Sequence, residues 1–365
     1  MSTKKTLGLV MIVKNEERCL EKCLKAVRNL VDEIYITDTG STDKTVEIAK
    51  KFNAHISHFE WINDFGAARN FSLEQSKCDW NLVLDADEYL ISGKRKDIER
   101  FLAGEPRIGY IELLNSYKES DGEISKSKIR IPRLIPKWVK YRGAIHEQVD
   151  SDLVGVALPL TFDHDGYMQD GKGERNLEIL LKELNDDENN PYVLYQIAKT
   201  LWLLKRFNEA DNYFERFYNN SKNVKADYRR IGITSYIYNL LELKKIDDGI
   251  KLIENEKNNL NDSADFYFAC GMFYMKAVLS DVNKYMSCFT EIEKSYLKCL
   301  KIGENNNGVV GCGSFKALYN LGVFYEVTGN TAKAREFYGL ADRQGYAQAR
   351  ERLNNLKYNN YNKIA

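Results

Sequence analysis

Two carboxylates one residue apart, Asp85 and Asp87, stand directly after the apolar run Trp80-Asn81-Leu82-Val83-Leu84. The run is short, bulky and bounded, which predicts a buried strand. The pair then falls at the carboxyl end of that strand, the edge where open α/β sheets hold their ligands. In an extended chain alternate side chains share a face, so the two carboxylates are expected to converge. Convergent carboxylates repel unless a cation lies between them. A hard divalent ion with oxygen ligands suits that place and would in turn hold phosphates. Taken alone, the tripeptide reads as a helix cap or a solvated strand end.

Three more polar clusters abut apolar runs. The strand Leu7–Val13 ends in Lys14-Asn15-Glu16-Glu17, where acidic groups also stabilise the start of a helix through its dipole. The strand Glu33–Thr37 leads into Asp38-Thr39-Gly40-Ser41-Thr42-Asp43. Asp38 can accept a hydrogen bond from a base N–H, and the following helix start offers free backbone N–H groups. The plain use of the same residues is capping, with Ser41 or Thr42 opening a helix over Thr42–Phe52. The third cluster is Asp64-Phe65-Gly66-Ala67-Ala68-Arg69-Asn70. Its Arg69 carries a planar fork that matches diphosphate oxygens, or lies on an ordinary helix surface.

The elements that must position these groups alternate between strand and helix patterns over roughly the first 160 residues, the signature of an α/β layer fold. Leu20, Cys23, Leu24 and Val27 follow helical spacing, as expected of one face of a core helix. Gly66–Gln75 reads as a helix. Gly109–Ser116 and Ser127–Ile131 read as strands around an Asp121-Gly122 hairpin turn. After Gly166 the character changes, with a linker at Gln169-Asp170-Gly171-Lys172-Gly173. This predicts an α/β domain over 1–168 and an all-α domain over 169–365.

The second part repeats. Leu318, Leu321, Gly322, Tyr325 and Gly329 are followed by Lys333, Ala334, Tyr338 and Ala341. This is the tetratricopeptide pattern, in which small residues let paired helices approach and aromatics fill the gaps. Leu194, Ile197, Ala198, Leu201, Ala210, Phe214 and Phe217 fit the same template, with weaker copies around Ile233–Ile253 and Tyr267–Cys299.

Composition narrows the function classes. The 365 residues suffice for two domains. Lys+Arg and Asp+Glu are both 53, so nothing in the charge balance points to a nucleic-acid partner. No apolar stretch is long enough to span a bilayer. The first apolar run lacks a cleavage site and ends in charged residues, so a core strand is expected rather than a signal peptide. Seven cysteines without paired zinc spacing fit a reducing cytoplasm.

The order and spacing of the four clusters resemble the family 2 glycosyltransferases of the GT-A fold. The likeness is strongest over roughly the first 90 residues and continues more loosely to His164. The helical tail resembles the subgroup that couples such a domain to tetratricopeptide repeats, which includes peptide S-glycosyltransferases of the sublancin type. The resemblance implies an inverting transfer from a UDP-sugar, with glucose or N-acetylglucosamine expected, assisted by Mn2+ or Mg2+. It assigns Asp38 to uracil, Asp85 to the ribose or the metal-bound phosphates, Asp87 to the metal and Arg69 to the nucleotide. Lys14, Asn15, Glu16 and Gly40 belong to the same donor-binding set. The commoner pattern has a second Asp where this chain has Thr39, which weakens the inference about the ribose. The segments Arg142-Gly143-Ala144-Ile145-His146-Glu147 and Asp163-His164-Asp165-Gly166-Tyr167 recur in similar form in the subgroup. They suggest His164 as a further metal ligand, since imidazole suits Mn2+. Glu147 is then the general base, because inverting transfer needs a carboxylate to take the acceptor proton; Asp163 and Asp165 are its rivals. A polypeptide acceptor modified on Ser, Thr or Cys is expected, with self-association through the repeats as another use of the tail. A glycan or lipid acceptor, a non-catalytic sugar-nucleotide scaffold and a nucleotidyltransferase are the alternatives.

Overall fold

The computed structural model describes residues 4–118, 124–164 and 173–361. The expected Asp121-Gly122 turn, the expected linker over 169–173 apart from Gly173, which opens a helix, the division after Met168 and the candidate base Asp165 lie outside the described residues. The chain divides into two compact units, Met1–Glu183 and Leu184–Ala365.

The first unit runs β1 (Leu7–Val13), α1 (Leu20–Val27), β2 (Glu33–Asp38), α2 (Thr45–Lys51), β3 (His55–His58), α3 (Phe65–Gln75), β4 (Trp80–Val83), β5 (Glu88–Ser92) and α4 (Arg95–Leu102). It continues through β6 (Ile108–Lys118), β7 (Ile124–Pro136), β8 (Lys140–Arg142), β9 (Gln148–Asp150), β10 (Gly155–His164) and α5 (Gly173–Leu184). The main sheet has the order β3-β2-β1-β4-β7-β6-β10-β5. Its β3-β2-β1-β4 half is parallel, while β7 runs antiparallel to both β4 and β6. The predicted strand–helix alternation is therefore present, and the sheet is mixed.

Parallel strands are covered on both faces, which is why they read as unbroken apolar runs. Leu7, Leu9 and Met11 of β1 pack with Leu20, Cys23, Leu24 and Val27 of α1 in one core. Val10, Val83, Leu73 and Ile135 form the core of the opposite face. Burying a side chain of this size contributes about 1.5–3 kcal/mol, so the strands that carry the site are held from both sides.

Two local expectations are corrected. Helix α2 begins at Thr45, not Thr42, and neither Ser41 nor Thr42 caps it. Asn15 is the reason: its Oδ1 accepts from the Thr42 N–H at 2.8 Å and its own N–H donates to Ser41 Oγ at 3.0 Å, drawing that turn towards the end of β1. Nor does the chain stay extended through Asp85-Ala86-Asp87. It turns there, with the Glu88 N–H donating to the Asp85 carbonyl at 3.2 Å, so strand alternation does not set the directions of the two carboxylates.

The second unit is helical: α6 (Pro191–Leu203), α7 (Phe207–Asn220), α8 (Asp227–Glu242), α9 (Ile246–Glu256), α10 (Ala264–Ser280), the one-turn α11 (Val282–Tyr285), α12 (Phe289–Ile302), α13 (Phe315–Val327), α14 (Thr331–Arg343) and α15 (Ala347–Tyr361). Helices pair as the repeat pattern predicts, α6 with α7, α10 with α12 and α13 with α14. The small–aromatic logic is visible at Gly322, where a Cβ would stand 2.5 Å from the Tyr338 ring. The unit is a tetratricopeptide-like repeat.

Candidate functional site

The ends of β1 and β2 interlock. Besides the Asn15 bonds, the Glu16 N–H donates to Thr45 Oγ1 at 2.7 Å and the Glu17 N–H to Asp43 Oδ2 at 3.1 Å. Asn15 takes a φ of +56° to do this, a region that Asn tolerates better than most residues. Asp38, at the end of β2, is 4% exposed. Its carboxylate accepts the Gly40 and Ser41 N–H groups at 3.2 and 3.1 Å, and the His58 ring lies 3.4 Å away. The turn needs a φ of +104° at Gly40, which glycine alone adopts freely. The capping use of Asp38 is thus present, and two N–H bonds leave a carboxylate with accepting capacity to spare. Lys14 is exposed.

Strand β1 separates Asp38 from the end of β4: Val13 pairs with Asp38 and Val10 with Val83. Asp38 and Asp85 therefore lie on the same sheet edge, about 10 Å apart at ordinary strand spacing.

Two guanidinium groups grip Asp85. Arg69 donates to Oδ1 at 2.7 Å and Arg133 to Oδ2 at 2.8 Å. Burial opposes the charge on Asp85, but the two arginines outweigh it and hold the carboxyl below the ordinary carboxylate range. Arg133 also pairs with the buried Glu88, and Arg69 pairs with Glu147 through Nε. At Glu88 burial dominates and pushes the carboxyl up, with Arg133 opposing. Three carboxylates and two arginines therefore alternate in one chain of ion pairs.

Helix α3 positions this network. Asp64 caps it by accepting from the Ala67 N–H at 2.8 Å. Asn70 clamps β8 from both sides, donating to the Tyr141 carbonyl and accepting its N–H, each at 2.8 Å. The Phe65 N–H donates to the Ala144 carbonyl at 2.7 Å, and a Cβ on Gly66 would stand 2.5 Å from the Gly143 oxygen. The segment after β8 is thus laid along α3, which is how Glu147, 78 residues distant in sequence, reaches Arg69.

Asp87 turns to other partners. Its Oδ1 lies 3.5 Å from His164 Nε2, while His164 Nδ1 donates to Asn115 Oδ1 at 2.7 Å. Strand pairing builds this arrangement, since His164 of β10 is registered with Glu88 of β5 and Asn115 of β6. An imidazole fixed through Nδ1 presents Nε2 to a metal, with a hydrogen-bonded second shell of the usual kind. Among the described residues no cluster of three or more His, Cys, Asp and Glu makes a ready metal cage. One carboxylate and one imidazole side by side do fit a cation whose remaining ligands are water and substrate phosphates.

Asp85, Arg69, Glu147, Asp87 and His164 are thus brought to one strand edge. Arg133, Glu88 and Asn115 were not singled out from the sequence. Asn115 had a weak signal as a polar residue closing an apolar strand, and Arg133 had one in the preceding Pro132.

The mixed sheet and its strand-end charge cluster are those of a glycosyltransferase domain of the GT-A kind. Residues 9–152 match the model of the family described as Glycosyl transferase family 2. The chain is similar to the SPbeta prophage-derived glycosyltransferase SunS of Bacillus subtilis, 29% identical over 231 residues, 60% of this chain and 54% of that one. It is also similar to a TPR repeat-containing protein of Synechococcus elongatus, 31% identical over 212 residues, 53% of this chain and 52% of that one. The chain spans about half the length of the curated relatives it matches. Among solved structures, that of MamA is 17% identical with a TM-score of 0.39, covering 49% of this chain and 92% of that one.

Proposed function

We propose that this protein is a metal-dependent, inverting glycosyltransferase that moves a sugar from a UDP-sugar to a polypeptide. The observation that carries the reading is the division of labour at one sheet edge. Asp85 is clasped by two arginines, while Asp87 turns away to His164. In this reading Asp38 meets the uracil, with Asn15, Glu16 and Gly40 shaping its loop and Lys14 at the rim. Arg69 supports the diphosphate beside Asp85; its Nη1 is buried without a hydrogen-bond partner. Asp87 and His164 would hold Mn2+ or Mg2+, which supplies positive charge to the departing diphosphate. Glu147, bound to Arg69 through Oε1, takes the acceptor proton through its other oxygen as the anomeric bond forms. Asp165 is the rival base.

The polypeptide acceptor rests on the repeat unit, since stacked helix pairs present extended surfaces of the sort that hold peptides. No helix among the described residues is long and apolar enough to cross a membrane. Incubation with UDP-glucose or UDP-N-acetylglucosamine, Mn2+ and Ser-, Thr- or Cys-containing peptides should add one sugar mass to a peptide. Transfer to glycan or lipid acceptors alone would remove the polypeptide claim. Failure of every UDP-sugar to raise the melting temperature with Mn2+ would remove the donor claim, because a ligand of the native state must stabilise it.

A further inference from the structure

We propose that Arg133 is a donor-positioning residue, carried to the site by a β-bulge, which fixes Asp85 for the nucleotide and keeps it from the cation. The inference rests on the donor-site reading above and extends it by giving the second of the two arginines that clasp Asp85 a role of its own.

The bulge is visible in the strand register. Tyr110 pairs with Pro132 and Gly109 pairs with Leu134, so Arg133 is an extra residue in β7 opposite no partner in β6. Bulges of this kind re-aim a side chain, and they collect beside active sites. Pro132 lacks an N–H and so costs the ladder little at such an irregular point. Without the insertion, Ile131 and Leu134 could not both face the same core, as they do. The extra residue preserves the apolar face on either side and releases one side chain towards the end of β4.

What it reaches is specific. One guanidinium nitrogen of Arg133 donates both to Asp85 Oδ2 and to Glu88, so its charge is matched by two carboxylates. Its Nε is buried with no hydrogen-bond partner. Arg69 takes the other Asp85 oxygen. A carboxylate with each oxygen held by a different guanidinium has its direction fixed. It also has its charge offset, so an approaching diphosphate meets less repulsion. The same clasp removes Asp85 from competition for a divalent ion and leaves that ion to Asp87 and His164.

Loss of Arg133 should therefore move two affinities in opposite directions. Asp85 is freed towards the cation, so Mn2+ alone binds more tightly; the fixed carboxylate and a positive charge are lost, so UDP binds more weakly. A residue that served only as the counter-ion of buried Glu88 would move neither once Glu88 is neutral. The test compares Glu88→Gln with Glu88→Gln/Arg133→Gln. Mn2+ binding is measured by electron paramagnetic resonance of the free ion, and UDP binding by calorimetry at saturating Mn2+. The expected result is UDP affinity at least tenfold lower in the double variant, with Mn2+ affinity severalfold higher. Equal values for both ligands would overturn the proposal. If the double variant gives no cooperative melt, Arg133→Lys decides: a lysine keeps the charge but not the fork, so UDP should bind severalfold more weakly than to the wild type, and unchanged UDP binding would overturn the proposal. Absence of UDP binding to the wild-type protein would instead sink the donor-site reading, a separate outcome.

Discussion

Asp87 and Asp85 differ by two positions and have opposite surroundings. Asp85 faces two arginines, whereas Asp87 faces an imidazole whose other nitrogen is fixed by Asn115. Chemistry that needs a cation should therefore depend on Asp87. The Asp87→Asn substitution keeps the shape and removes the charge. It should lower Mn2+-dependent transfer by about 100-fold or more, the scale on which a lost metal contact costs catalysis. It should also abolish the Mn2+-dependent part of the UDP thermal shift, with the melt of the unliganded protein moved by only a few degrees. Full activity with Asp87→Asn at limiting Mn2+ would show that the ion sits elsewhere. Glu147 gives a second check at this scale. Glu147→Gln keeps a hydrogen-bond acceptor for Arg69, so UDP should still bind. Transfer to the acceptor should fall by about 100-fold, as for a lost general base. Donor binding and transfer lost together would instead mark Glu147 as a prop for Arg69.

At the scale of elements, the site depends on α3 lying close against the loop after β8. Gly66 allows that approach, since a Cβ there would collide with the backbone oxygen of Gly143. Gly66→Ala should therefore cost about 1–3 kcal/mol, as overpacking does. It should also reduce transfer more than UDP binding, because Ser72 and Leu73 anchor α3, and Arg69 with it, to the sheet, so the loop that carries Glu147 is what gives way. Denaturant unfolding and a KM-against-kcat comparison check both parts. The helix face of α1 and the parallel strands were legible in the sequence because apolar periodicity reports burial directly. The start of α2 was not, because a partner 27 residues away, Asn15, takes the Thr42 N–H. The Arg133 bulge was illegible for a related reason: an inserted residue breaks the alternation that identifies a strand, and Ser127–Ile131 therefore read as a strand far shorter than the Ile124–Pro136 observed. Asp85 and Asp87 were found by type and spacing, but the geometry assumed for them was extended, and long-range arginines and a turn decide it instead.

For the molecule as a whole, 53 basic and 53 acidic side chains leave no large net charge near neutrality. Its stability should then vary with pH through a few buried groups rather than through general repulsion. Asp265, in α10 of the repeat unit, is such a group. Burial, with a smaller push from Glu304, raises its carboxyl to about 6, against the opposing Val309 N–H and Lys316. That N–H donates to Oδ1 at 2.7 Å. In the unfolded chain the group titrates near about 4, so between the two values the folded state binds the extra proton. Its contribution is complete below about pH 4 and is lost as pH rises through about 6. The difference amounts to about 2–3 kcal/mol on conversion of the shift. Asp265→Asn keeps an acceptor for the Val309 N–H and removes the titration. Urea unfolding from pH 4 to pH 7, followed by circular dichroism, should show wild-type stability falling across that range by an amount that the variant does not share. A variant whose stability falls in parallel with the wild type would place the pH dependence on other groups and return Asp265 to an ordinary carboxylate.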